Sequence, residues 1–162
     1  MRDLFANSDA FEPLRIPDAD VSILRSLNTP MPYDHILQKL RSETPWRQES
    51  VRIYGKMYEQ PRLVAWYGDP GKQYTYSGIS LTPLPWTHLL LTLRRSVEEV
   101  ADARFNSVFL NLYRDHRDSM GFHSDDEREL GPEPVEVLLG EGGCSHDRNL
   151  ERLREAVLRT HS

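Results

Sequence analysis

Cysteine is almost absent: Cys144 stands alone among 162 residues, so no disulfide can form within the chain, and such scarcity fits a reducing compartment. A continuous run of about 18 apolar residues is also missing, which excludes an apolar membrane-spanning helix. The sequence opens on no charged-then-apolar leader. A cytoplasmic protein with no membrane partner is therefore expected. An excess of positive charge is lacking too: the formal net charge is −5, so nucleic-acid binding has to come from a local patch. One such patch runs from Lys39 to Arg62 and holds Lys39, Arg41, Arg47, Arg52, Lys56 and Arg62 against Glu43, Glu49 and Glu59; an ordinary solvated surface explains it equally well. Internal repeats and low-complexity segments are absent. What remains is a chain of ordinary composition, 38% hydrophobic, with enough length for one domain and a real core, and a monomer is expected.

Pro13 to Thr29 is a polar, proline-punctuated entry, and Asp34 to Arg41 places Ile36, Leu37 and Leu40 at helical spacing. From Val51 the pattern turns β-rich: VRIYGKMY, RLVAWY, the turn Gly68-Asp69-Pro70-Gly71, then QYTYSG. The strong turn chemistry between the last two runs predicts a hairpin there. Trp86 to Val100 returns to helical spacing, with Trp86, Leu90, Leu93, Val97 and Val100 on one face and Arg94, Arg95, Glu98 and Glu99 elsewhere. Phe105 to Tyr113 reads as a strand with Phe109, Asn111 and Tyr113 on one face.

Downstream of Asn111 and Tyr113 comes a turn-like Arg114 to Gly121, and then His123, Asp125 and Glu127 in strict alternation. In an extended segment residues two apart share a face, so these three point together while Ser124 and Asp126 point away. A histidine and a carboxylate so placed suit a metal, and two imidazoles with one carboxylate on one face of an iron is the arrangement of non-haem Fe(II) oxygenases. A His-x-Asp pair hydrogen-bonded in a loop has the same spacing.

The segments V-R-I-Y-G-K (Val51 to Lys56), P-R-L-V-A-W-Y-G-D-P-G (Pro61 to Gly71), Y-T-Y-S-G (Tyr74 to Gly78), P-L-P-W (Pro83 to Trp86), F-N-S-V-F-L-N-L-Y-R-D and H-S-D-D-E-R-E-L resemble, in this order and at these separations, the AlkB family of 2-oxoglutarate- and Fe(II)-dependent dioxygenases. The similarity is greatest to the branch acting on 1-methyladenine and 3-methylcytosine. The resemblance implies Fe(II) and 2-oxoglutarate as cofactors, alkylated DNA or RNA as partner, and oxidative removal of the alkyl group as an aldehyde. It implies that His123 and Asp125 ligate iron and that Asn111 and Tyr113 hold 2-oxoglutarate. Tyr74 and Tyr76 match aromatics that hold a flipped base, and Asp126 and Glu127 match acidic residues near the cationic alkylated base. Tyr54 falls where related enzymes insert an aromatic wedge into the duplex, with Lys56 beside it for phosphate. Read from the residues alone, Tyr54 could equally be a strand aromatic, and Tyr74 and Tyr76 core residues.

The fold class implied is α+β: a double-stranded β-helix (jelly-roll) core, incomplete in this chain, with N-terminal and mid-chain helices packed on the sheet and a divergent C-terminal helix. This divides the sequence into an N-terminal helical segment at 1–50, an AlkB-like nucleotide-recognition region and start of the jelly roll at 51–134, and a helical tail at 135–162. In that tail Asp147 or Asn149 caps a stripe of Leu150, Leu153 and Val157. His116 occupies a turn position where the family usually has glycine. After Pro134 the resemblance stops; it identifies no third iron ligand, and His146 and His161 lack a family-like context. Poor turnover is expected on that ground, and a non-catalytic nucleic-acid-binding remnant or a truncated product are alternative readings.

Overall fold

The computed structural model describes residues 11–16, 19–71, 74–76, 79–119, 135–139 and 154–159. Its centre is an antiparallel sheet of four strands, β5 (Leu63–Gly68), β8 (Ser107–Leu112), β9 (Val135–Leu139) and β10 (Arg154–Arg159), in the order β5-β8-β10-β9. The runs LVAWYG and SVFLNL are almost continuously apolar, as strands covered on both faces are, and they pair with Val64 opposite Asn111 and Trp66 opposite Phe109.

Two helices cover one face of this sheet. In α1 (Tyr33–Glu43) Ile36, Leu37 and Leu40 are buried as their spacing predicts. In α2 (His88–Ala101) the Thr87 hydroxyl accepts the Leu90 N–H at 3.2 Å, capping the helix start. Leu90 and Val97 are buried, and Leu93 and Trp86 pack half-buried against the same core. Val100, expected on that face, is 38% exposed. Glu98 takes the buried place in the last turn instead, because its carboxylate accepts the Phe105 N–H at 2.9 Å, Arg94 Nε at 3.0 Å and Arg104 Nη1 at 3.2 Å. Opposite the helices, Ala65, Tyr67, Val108, Leu110 and Leu139 supply the sheet's half of the core. The period-two alternation then turns Val64, Trp66, Phe109 and Asn111 to the other face.

Three two-stranded ribbons are separate from this sheet: β1 (Glu12–Ile16) with β2 (Ala19–Ile23), β3 (Ser50–Ile53) with β4 (Lys56–Glu59), and β6 (Tyr74–Tyr76) with β7 (Ile79–Leu81). Several expectations are corrected here. The hairpin across Gly68-Asp69-Pro70-Gly71 does not form: β5 pairs with β8 and β6 with β7, because a strand buried on both faces takes an equally apolar neighbour. The free edge of β5 is closed by backbone bonds to Arg47 and Leu84. VRIYGKMY is two strands joined by a turn at Tyr54-Gly55 rather than one run. The segment 1–50 holds a β-ribbon before its one described helix. The helical tail is corrected most plainly: Arg154–Arg159 is a strand bonded on both edges, to β8 and β9, since an isolated helix of that length is marginal while a central strand satisfies its backbone on both sides. The architecture is α+β, and among the described residues it contains one large sheet, so the second sheet of a jelly roll is not part of what they form.

Candidate functional site

On the sheet face turned away from α1 and α2, Asn111 projects from the penultimate position of β8. It is 4% exposed, and its Oδ1 has no hydrogen-bond partner among the described residues. A buried amide oxygen without a donor costs about 1–3 kcal/mol, so this position is complementary to something polar that the chain's own described side chains do not supply. A half-turn of the amide places Nδ2 there instead, a donor suited to a carboxylate. Tyr113, half-buried, follows just beyond β8. The structure thus places Asn111 at the sheet face the spacing predicts.

Arg62 joins this face from the residue before β5. It is 7% exposed; its Nε donates to Gln60 Oε1 at 3.1 Å and its guanidinium lies 5.9 Å from the Phe109 ring centre. In the sequence Arg62 is the last member of the basic patch that begins at Lys39. Of the others, Arg47, Arg52 and Lys56 are exposed, and Lys39 pairs with Glu43 at 2.8 Å. Nothing in the local sequence distinguishes Arg62 from them; its burial follows from the strand register.

The β3–β4 ribbon carries the second group of predicted residues. Tyr54 and Gly55 form a two-residue turn with φ of 48° and 80°, the geometry of a type I′ hairpin, and Tyr54 is 102% exposed at its tip. Lys56 follows, exposed, and Met57 and Tyr58 are 57% and 50% exposed. Tyr54 is therefore a turn residue and not a strand aromatic. Tyr74 and Tyr76 both fall in β6, opposite Leu81 and Ile79.

After β8 the chain is tied by Arg114, which grips Asp118 with Nε at 2.7 Å, Nη2 at 2.9 Å and the backbone N–H at 2.9 Å. The fork from Arg114 holds the buried Asp118 carboxyl below its usual range, against the opposing effect of burial. Arg117 does the same for the exposed Asp115. His116, between them, has no left-handed φ, so this turn does not require the glycine expected there. Sequence reasoning missed the Arg114–Asp118 tie, whose four-residue spacing was the available signal.

His123, Asp125, Asp126 and Glu127 lie outside the described residues, and so do His146 and His161. Among the described residues no group of three His, Cys, Asp or Glu could hold a metal. A pocket between α1, α2 and the sheet, lined by Leu90, Leu93, Val108, Leu110 and Val137, is apolar and lies on the core side of the sheet; it is unsuited to a charged ligand. On the opposite face the buried Asn111 amide and the Arg62 guanidinium are groups of the kind that hydrogen-bond a carboxylate. No described helix is long and apolar enough to cross a membrane.

Comparison with known proteins bears on the family. The profile of the 2OG-Fe(II) oxygenase superfamily matches residues 20–137, beginning well before Val51 and reaching into β9. The chain is 44% identical over 110 residues to the mouse (Mus musculus) alpha-ketoglutarate-dependent dioxygenase alkB homolog 3, a match covering 67% of this chain and 38% of that protein. It is 40% identical over 114 residues to the mouse DNA oxidative demethylase ALKBH2, covering 68% and 48%. Against the Arabidopsis thaliana DNA oxidative demethylase ALKBH2 the identity is 30% over 125 residues, covering 72% and 38%. The chain thus spans less than half the length of each of these relatives.

Proposed function

The chain belongs to the 2OG-Fe(II) oxygenase superfamily as an AlkB-type member, and from that membership, which implies Fe(II) and 2-oxoglutarate, we propose that it serves the oxidative demethylation of N-alkylated nucleobases of the 1-methyladenine and 3-methylcytosine type in DNA or RNA. The observation that carries this reading is its likeness to relatives named as an alpha-ketoglutarate-dependent dioxygenase and a DNA oxidative demethylase, 44% identical over 110 residues and 40% identical over 114.

When bound, Fe(II) with 2-oxoglutarate supplies the oxidation of the N-alkyl carbon. The protein's part is to bind, orient and exclude water. Asn111 and Tyr113 hold the co-substrate, and His123 and Asp125 are two of the metal's ligands. Tyr74 and Tyr76 clasp the flipped base, while Asp126 and Glu127 favour its positive charge. Tyr54 is the wedge that enters the stack and Lys56 meets phosphate. Support for the last pair comes from the exposed aromatic at the hairpin tip; a tyrosine left fully in water on a left-handed backbone has no folding role to explain it.

The test is fluorescence anisotropy with oligonucleotides differing only in 1-methyladenine or adenine, followed by succinate release with Fe(II), ascorbate and 2-oxoglutarate. Stacking is worth about 1–3 kcal/mol per base, so Tyr76→Ala is expected to weaken the alkylated oligonucleotide by about tenfold or more. Equal affinity for the two oligonucleotides, unchanged in Tyr76→Ala, would sink the proposal, as would succinate formation insensitive to His123→Ala.

A further inference from the structure

The β6–β7 ribbon is an excursion from the core, since its two strands pair with each other and form a sheet of their own. Its legs are gathered at one point. The Gly68 N–H donates to Leu84 O at 3.1 Å and the Leu84 N–H to Trp66 O at 2.8 Å, which fixes the returning leg beside the end of β5. One residue on, the Asp69 N–H donates to Asn106 O at 2.8 Å, while its Oδ1 accepts Trp86 Nε1 at 2.9 Å and Arg94 Nη1 at 3.2 Å. The Arg94 guanidinium also lies over the Trp86 ring, 5.1 Å from its centre. A single carboxylate oxygen thus joins the outgoing leg to the segment before α2 and to α2 itself.

Stability alone accounts poorly for this clasp. The Arg94 and Asp69 side chains are 22% and 42% exposed, and an ion pair so open to water contributes little. Its place in the chain is more telling. With its backbone held by Asn106 and its carboxylate by Trp86 and Arg94, Asp69 has a fixed orientation, and the next two residues pass it on. The Pro70 ring locks its own φ, and Gly71 follows at a φ of 83°, which a side chain would resist. The chain then enters β6 with Tyr74 and Tyr76. We infer that Asp69 is a positioning residue, which sets the direction in which β6 leaves the sheet and so the place of the two tyrosines against a flipped alkylated base; the inference rests on the reading of that pair as the base clasp. Stacking depends on the offset and tilt of the rings, so a swing of the ribbon lowers base affinity although every contact group is still present. Trp86, at the other end of the same bond, shares the role.

The experiment is fluorescence anisotropy of the full chain with the 1-methyladenine and adenine oligonucleotides, in Asp69→Ala, Tyr76→Ala and the double variant, with melting temperatures measured alongside. Asp69→Ala is expected to lower the preference for the alkylated oligonucleotide by about tenfold, the scale of one base–aromatic stack. The double variant should then bind no worse than Tyr76→Ala, because both changes remove the same stack. Asp69→Asn keeps Oδ1 as an acceptor for Trp86 and should recover most of the preference. A clasp that only stabilises would lower the melting temperature and leave the preference as in the wild type, and that result overturns the inference while the reading of Tyr76 stands. Losses that add in the double variant overturn it as well. If Asp69→Ala does not fold, Trp86→Phe decides, since it removes the N–H and keeps a ring under Arg94: a preference equal to the wild type's overturns the inference, and a loss of about tenfold supports it. Equal affinity of the wild type for the two oligonucleotides, unchanged in Tyr76→Ala, removes the base-clasp reading itself and this inference with it.

Discussion

Glu98 shows at the scale of one residue how a helix face is decided. Burial pushes its carboxyl upward, but the Phe105 amide, Arg94 and Arg104 together outweigh burial and hold it below its ordinary value of 4.5. A depressed carboxylate contributes stability that is complete above the ordinary value and is lost as pH falls through the folded one. Wild-type melting temperature should therefore drop as pH falls from about 4.5, and Glu98→Gln should flatten that slope. At neutral pH the substitution should cost about 1–3 kcal/mol, measured by urea unfolding; an acid limb identical in the variant would refute the assignment. The helical spacing placed Glu98 outside, and correctly so for an isolated helix. What buries it is Arg104 and the Phe105 N–H beyond the helix end, and no periodicity carries that information. Asn111 is the opposite case: its spacing from Phe109 and Tyr113 set its face, and the pairing with Val64 buried it there.

Elements were legible where one local pattern sufficed. Ile36, Leu37 and Leu40 announce α1, and Thr87 with the apolar stripe of Leu90, Leu93 and Val97 announces α2. The β3–β4 ribbon was harder, because its turn uses tyrosine where type I′ geometry favours asparagine or glycine. A left-handed tyrosine costs about 1–2 kcal/mol, so Tyr54→Asn should raise the melting temperature while weakening oligonucleotide binding; a rise in both stability and affinity would contradict the proposed wedge. Gly68 ends β5 where a Cβ would stand 3.1 Å from the Asn106 carbonyl oxygen, 3.1 Å from Ser107 Cβ and 3.2 Å from Pro83 Cβ. Gly68→Ala is accordingly expected to destabilise by about 1–3 kcal/mol through overpacking, seen as a lower urea midpoint. The local sequence marks Gly68 as part of a turn, and only the approach of β8 shows why nothing larger fits.

Across the whole molecule the order β5-β8-β10-β9 was the least legible feature. Strand propensity identifies LVAWYG and SVFLNL, but the choice of partner depends on contacts distant in sequence, and the β5–β6 hairpin suggested by the turn lost to them. Arg154–Arg159 was misread for the same reason, since its helical stripe is a local signal and its two ladders are not. Val157 pairs with both Phe109 and Glu136, so Val157→Pro should break a central ladder at a cost of about 3 kcal/mol or more. Hydrogen exchange should then quicken at the β8 amides facing β10 and leave those facing β5 protected; uniform protection would show that β10 does not occupy this place.

Strand β10 sits between two strands that are both synthesised before it. As the chain leaves the ribosome, β8 can zip to β5 at once, but its other edge stays open until Arg159 emerges, 47 residues after Leu112 (159 − 112). At about 5–20 residues per second that interval is roughly 2–10 s, long against the microseconds in which a hairpin closes. Throughout it an apolar strand, SVFLNL, presents an unpaired edge of the kind that recruits other chains. The yield of folded protein is thus set by elongation speed and by whatever shields nascent chains, and slowing translation downstream of β8 should shift product from the soluble to the aggregated fraction without altering the stability of the molecules that finish.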